Sequence, residues 1–419
     1  MDKPFVTAET PALVEAKKLA RIEVLDVLRG FALLGIFLMN IEYFNRPLQE
    51  FGEGIPAVTV GLDYTVARLT EIFITGKFWV LFSMLFGMGF VVMQTQAALE
   101  GRAFKALYLR RTIALLVFGL LHITFLWSGD ILHSYALVAL VLMYLPLMSL
   151  RECGLVGVVL YFAPVCLLLL SSVSMAFLPE AELEKLEIEY SANANAAVHA
   201  AKVYADGNYL EVLNQRLSDF LHILTYEPYV FIGALGIFLI GAAIMRSGRL
   251  LDLKANRSFF LKSSIGCALL AALPIVIANS VYGHSFMTSQ GMLEQALMTI
   301  GNLPLSLFYL SSIAYAMSFV SGSKILGLLA PAGKMALTNY LMQSLIASSV
   351  FFGYGLGFWN QWGRADLALF VIAVFIAQVI FSHLWLRYFR YGPMEWLWRA
   401  LTYWTLPPMR VTERNLQLN

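Results

Sequence analysis

The chain has 419 residues, of which 59% are hydrophobic and only 13% charged; its formal net charge is +2 and its mean hydropathy +0.71. A soluble domain carries roughly 25% charged residues, so this composition excludes a water-soluble globular protein. The nearly balanced charge, with no basic stretch interleaved with aromatics, also gives a nucleic-acid partner no footing. What remains is an all-α polytopic transmembrane helical bundle, whose first partner is the lipid bilayer.

In chain order, residues 1–23 form a polar N-terminal segment with Lys3, Lys17, Lys18 and Arg21. Apolar runs near the roughly 20 residues that a bilayer requires then recur ten times. They cover 24–41, 78–98, 112–127, 131–150 and 155–178, then 228–245, 263–282, 303–320, 326–352 and 367–386. The first run is too long for a signal peptide and has no small-residue cleavage site, so it is expected to stay as a span. Between the fifth and sixth runs lies a stretch that is acidic at Glu180, Glu182, Glu184, Glu187 and Glu189 and then Ala- and Asn-rich. It predicts one or two helices on the outer surface.

The division is thus a five-span half at 24–178, an extracytoplasmic segment at 179–222, a second five-span half at 223–405 and a tail at 406–419. Lys and Arg gather in cytoplasmic loops. The basic loops are those holding Arg102, Lys105, Arg110 and Arg111, then Arg151, then Arg246 to Lys262, then Lys324, then Arg387 and Arg390. They fall at every second exit, which predicts both termini in the cytoplasm.

Two segments stand outside this scheme. Leu62 to Thr75 is apolar on one face but carries Asp63, Arg68 and Glu71, which fits an interfacial helix or a polar helix inside the bundle. Gly301-Asn302-Leu303-Pro304 predicts a helix break, with the turns before it at the outer surface. Cys153, Cys166 and Cys267 have no metal or redox spacing and read as small apolar residues without a disulfide.

Ionisable and amide side chains inside spans cost free energy to insert, so each is a candidate for function. Asp26 and Arg29 are three apart at the inner end of the first span, on the face to which Asn40 returns about 16 Å further on. They suit either an anion-binding pair or an interfacial ion pair that orients the helix. Arg111 and His122 repeat the arrangement on the third span, and Asp130, His133 and Ser134 follow at i, i+3 and i+4. A histidine beside a carboxylate can serve as general base, because imidazole titrates near neutrality. It can equally be a core histidine bonded to a neighbouring helix. Thr338, Asn339 and Gln343 occupy one region of the ninth span, where amides join helices or line a cavity. No phosphate loop, HExxH, paired-Cys metal site or GxSxG elbow occurs, so no metal is implied.

Several strings, taken together and in order, form a set: Leu25-Asp26-Val27-Leu28-Arg29-Gly30-Phe31-Ala32, Leu81-Phe82-Ser83-Met84-Leu85-Phe86-Gly87 and Gly119-Leu120-Leu121-His122. After them come Trp127-Ser128-Gly129-Asp130-Ile131-Leu132, Gly333-Lys334-Met335-Ala336-Leu337-Thr338-Asn339-Tyr340 and Gly392-Pro393-Met394-Glu395-Trp396. Together they resemble the YeiB family of bacterial inner-membrane proteins over nearly the whole chain. That family is in turn similar to membrane acyltransferases that include heparan-glucosaminide N-acetyltransferase, with the Leu-Asp-x-x-Arg-Gly opening as the shared element.

The resemblance implies an acyl group carried from cytosolic acyl-CoA to a small-molecule or lipid acceptor on the far side. In that scheme Arg29, Arg110, Arg111 and Lys77 are the cationic candidates for the anionic donor, and Asp26, paired with Arg29, is a substrate-binding candidate beside them. His122, with Asp130 and Asn40, is the acid–base centre, and His133, Thr338, Asn339 and Gln343 contact substrate. The acetyltransferase histidine that follows the first span has no counterpart between Ile41 and Pro56. A small-solute or lipid transporter built of two five-span halves and a non-catalytic membrane component are the alternatives. A homo-oligomer is compatible with either.

Overall fold

A computed structural model describes residues 22–411 apart from 51–53, 57, 146–147 and 287. The polar N-terminal segment and most of the C-terminal tail lie outside the described residues. Seventeen α-helices make up the described chain and no strand does. Eight helical segments are long and apolar enough to cross a membrane.

The first helices are α1 (Glu23–Asn40), α2 (Glu42–Asn45), α3 (Gly61–Phe73), α4 (Lys77–Leu99), α5 (Phe104–Phe125) and α6 (Leu132–Tyr144). Next come α7 (Leu150–Met175), α8 (Glu180–Asp206), α9 (Tyr209–Leu224), α10 (Glu227–Arg246), α11 (Arg257–Ser280) and α12 (Ser289–Met317). The chain ends with α13 (Val320–Leu326), α14 (Ala330–Lys334), α15 (Ala336–Phe351), α16 (Arg364–Tyr388) and α17 (Pro393–Tyr403).

Local sequence sets several of these boundaries. Ser149 and Glu152 form a reciprocal capping box that starts α7, and Asn208 and Glu211 do the same for α9. The Thr288 hydroxyl accepts from the Gly291 amide at the start of α12.

Burial sorts the helices by role. α10 is buried all round from Gly233 to Ala242 and packs between α4 and α7. α1 is buried from Val24 to Phe37 and packs on α4, α14, α15 and α16. By contrast, α7 and α11 present rows of bare apolar side chains, among them Leu155, Val159, Leu170, Leu269, Leu273 and Val276. Such faces are stable against acyl chains and not against water.

The structure corrects four sequence expectations. Gly301 to Pro304 does not break the helix, because α12 runs on through Pro304. Proline leaves a carbonyl of the preceding turn without its amide, and neighbouring helices and Ser side chains can compensate inside a membrane bundle. The turns around Pro304 are tied to neighbouring helices: the Tyr161 hydroxyl donates to the Thr299 carbonyl, and the Ser306 hydroxyl lies 2.7 Å from the Asn302 carbonyl and 2.6 Å from that of Lys77.

The ninth apolar run is not one helix. It is divided into α13, a 3-10 turn, α14 and α15, with the break at Met335. The fourth is short, since the 13 residues of α6 rise only about 20 Å. Arg110 and Arg111 lie within α5 and not in the loop before it.

The break at Met335 lets α14 lie against α1 with little between the backbones. A Cβ on Gly333 would stand 1.8 Å from the Asp26 carbonyl oxygen, and one on Gly30 would stand 2.3 Å from that of Leu329. Only glycine permits that approach, so the strings that begin at Leu25 and at Gly333 are two halves of one contact.

The two ends of the bundle differ. One end, here the cap end, is covered by α8, α9 and the 352–363 loop around Phe44, Trp127, Tyr204, Phe352 and Trp359. The opposite end carries arginines stacked on aromatic rings. Arg111 lies 3.5 Å from the ring centre of Trp398, and Arg110 lies 4.4 Å from that of Trp404.

Candidate functional site

A buried polar cluster forms where α5 turns into α6. Gly119 allows the two helices to close, since a Cβ there would lie 2.6 Å from the His133 amide nitrogen and 2.7 Å from Asp130 Oδ1. The hairpin after α5 folds back on His122, whose carbonyl accepts from the amides of Leu126 and Trp127. Asp130 is thereby brought between two histidines. His122 Nδ1 is 2.7 Å from Asp130 Oδ2, while the His133 amide donates to Oδ1 at 2.8 Å and His133 Nδ1 lies 3.3 Å from it.

Protonation follows from these contacts. An ionised carboxylate only accepts hydrogen bonds, so His122 Nδ1 donates to Asp130, and whenever the ring carries a single proton Nε2 is the acceptor. Burial pushes the Asp130 carboxyl up, and the hydrogen bonds from His122 and His133 outweigh it, holding the group below its ordinary value. His122 is 2% exposed, yet its Nε2 has no hydrogen-bond partner. In His133, by contrast, Nε2 faces Ser134 at 3.3 Å and Glu227 at 3.7 Å.

Tyr340 closes the cluster. Its ring centre is 5.1 Å from that of His122, and its hydroxyl is 3.5 Å from Asp130 Oδ2. Sequence reasoning did not single out Tyr340, although it ends the Thr338-Asn339-Tyr340 string; a tyrosine in an apolar run carries no separate polar signal. From the cap, the Phe220 ring stands edge-on to His133 at 5.1 Å.

Other residues named from the sequence lie apart from this cluster. Asn40 ends α1 and takes no part in the hydrogen bonds around Asp130. Asp26 and Arg29 pair at 3.0 Å near the opposite end, where Arg29 and Arg399 are within electrostatic range of Arg111. Lys77 begins α4, at the far end of that helix from the arginines, and donates to the Glu71 carbonyl at 2.8 Å.

Thr338, Asn339 and Gln343 turn toward other helices. The Glu395 carboxylate accepts from the amides of Leu337 and Thr338 and from the Thr338 hydroxyl, and so caps the start of α15. Asn339 donates to the Ala332 carbonyl and to Ser382, and Gln343 donates to Gln378 at 3.0 Å. These side chains knit α14, α15, α16 and α17 together. Among the described residues there is no group of three or more His, Cys, Asp or Glu placed to hold a metal, and all three cysteines are unbridged.

Fold and cluster define an all-α, multi-pass membrane protein with a buried histidine–carboxylate pair at one end. Residues 244–405 match the family model described as protein of unknown function (DUF418). The chain is 34% identical to the uncharacterized protein YxaH of Bacillus subtilis over 404 residues, which is 93% of this chain and 96% of the other. It is 32% identical to the uncharacterized protein YeiB of Escherichia coli over 399 residues, 90% of this chain and 95% of that one. A 39.9 kDa protein of Bacillus acidopullulyticus, encoded in an amylase 3′ region, is 27% identical over 388 residues. The chain belongs to the DUF418/YeiB family.

Proposed function

We propose that this protein is a transmembrane acyltransferase of the bacterial inner membrane, with ten spans, both termini in the cytoplasm and the cap end outside. In this reading α6 and α15 complete the ten crossings, and the boundary between the two five-span halves falls in the α8–α9 cap. The observation that carries the chemistry is His122: Nδ1 is held by a buried carboxylate and Nε2 is buried without a partner. That is the arrangement a general base requires.

The acceptor's hydroxyl or amine gives its proton to Nε2 as it attacks the thioester carbonyl of the acyl donor. The new acyl–acceptor bond forms, the carbon–sulfur bond breaks, and the thiolate recovers the proton from the imidazolium. Asp130 holds the ring and stabilises its charge meanwhile. The arginines at the opposite end, Arg29, Arg111 and Arg399, suit the phosphates of acyl-CoA.

The test is a single-turnover assay of labelled acetyl-CoA with the chain reconstituted in vesicles. Label transfer that is lost in His122→Gln supports the reading. The absence of both transfer and a thermal shift with acyl-CoA refutes it.

A transporter is the second reading, favoured by the helix break at Met335. Transporters aim such broken helix ends at substrate. Here the free amides at the start of α15 are occupied by Glu395, which weighs for transfer over transport.

A further inference from the structure

The cap holds a second polar centre that the histidine chemistry does not use. Asp219 on α9 accepts from Tyr204 at 2.6 Å and from Gln49 and Gln215 at 2.8 Å each. Burial, and after it the charge of Asp219, keeps the Tyr204 hydroxyl well above its ordinary pKa. The carboxylate is therefore fully engaged by neutral donors.

One turn earlier on α9 is Arg216, 0% exposed and the largest fully buried side chain among the described residues. Its Nε and Nη1 reach the carbonyls of Val212 and Thr124, both at 3.3 Å, and its Nη2 has no partner. The rings of Tyr209 and Tyr354 flank the guanidinium at 5.1 and 5.9 Å. No carboxylate is ion-paired with it among the described residues.

Asp219, one turn on, supplies negative charge nearby but accepts no hydrogen bond from Arg216, so the buried Nη2–H has no acceptor, and a buried charged donor left without one is strongly disfavoured unless a ligand completes it. A second buried donor in the same cluster is also unpaired: Trp359 Nε1, on the indole that stacks on Tyr204 at 4.8 Å.

We propose that Arg216 is the core of an oxyanion-binding site in the cap, taking a phosphate either as a free small molecule or on a lipid headgroup. The planar guanidinium supplies the charge and the free Nη2–H, and the two tyrosine rings wall the site. α9 also packs on α5, where the Tyr209 hydroxyl donates to the Phe125 carbonyl and Arg216 to that of Thr124, within three residues of His122. An anion at Arg216 thus fixes the cap over the histidine pair. The site stands whether or not the chain transfers acyl groups, since its test reads binding alone.

The test compares melting temperatures of the full chain in detergent with inorganic phosphate and with chloride at equal ionic strength. It repeats the comparison in nanodiscs of phosphatidylglycerol and of phosphatidylcholine. A rise of roughly 2–4 °C with phosphate, absent in Arg216→Gln, supports the site with a soluble ligand. A rise only in phosphatidylglycerol, again lost in the variant, supports it with a lipid. Equal responses in wild type and Arg216→Gln, or no response of the wild type to either source, overturn it. Should Arg216→Gln fail to fold, hydrogen exchange of the wild type decides: phosphate or phosphatidylglycerol must slow exchange across residues 209–224, and unchanged rates there overturn the site.

Discussion

Two buried polar regions share α15 and divide the labour. On one face, Thr338, Asn339 and Gln343 meet Glu395, Ser382 and Gln378, and the protein supplies nearly every partner, leaving only Asn339 Oδ1 over. On the other, Tyr340 meets His122 and Asp130, and the ring nitrogen of His122 is left open. A satisfied network rigidifies, whereas a partly satisfied one is costly and persists where something else uses the open atom. Adjacent residues of one string therefore serve different ends, and substitutions should separate them.

The largest loss of stability is expected on the satisfied side. Gly333→Ala places a methyl 1.8 Å from the Asp26 carbonyl oxygen, where backbone and not a flexible side chain must yield. A cost of about 3 kcal/mol or more is expected, read as loss of the monodisperse peak in size-exclusion chromatography. Glu395→Ala strips the partners from two amides and a hydroxyl at the start of α15. About 3 kcal/mol is expected there, seen as a lowered melting temperature. If Glu395→Ala is as stable as wild type but loses activity, the assignment of this face to structure fails.

Asp130→Asn belongs to both regions' logic, because the carboxylate has structural and chemical partners. The folded carboxyl titrates below its ordinary value. Its contribution is therefore present above about pH 4 and is lost as the pH falls through the lowered folded value. The variant should cost about 2 kcal/mol at neutral pH and flatten the acid limb of the stability curve. An unchanged acid limb would mean that the His122 and His133 contacts are not made by an ionised Asp130. His122→Gln, which keeps a donor for Asp130 and removes the open nitrogen, should alter stability by within about 1 kcal/mol. It should nevertheless abolish acyl transfer.

Much of this was legible beforehand, for reasons that can be named. Apolar run length located α1, α4, α10 and α16 to within three residues at each end, and α7 and α11 with starts five and six residues late, because the bilayer sets a minimum length that composition must meet. Run length failed at 303–352. Pro304 reads as a break only when the chain is considered alone, and Gly333 reads as an ordinary span residue until its close neighbour on α1 is known. The His122–Asp130 pair was foreseeable from spacing around a hairpin. Arg216 was not, since a lone arginine in a polar stretch looks like a solvated one, and only the packing of α9 on α5 buries it.

Tyr340→Phe is the finest test of the division within α15. At 3.5 Å the hydroxyl lies at the limit of a hydrogen bond to Asp130 Oδ2, and its oxygen also meets the Ile131 backbone amide, so its removal should cost no more than about 1 kcal/mol of stability. The ring remains, and with it the packing against His122. If the hydroxyl tightens onto Asp130 only when the imidazole gains its proton, the variant should bind donor and acceptor normally and turn over more slowly. KM would then hold while kcat falls. Equal falls in stability and KM would instead place Tyr340 with Thr338 and Asn339 on the structural face, and the open nitrogen of His122 would have to act without it.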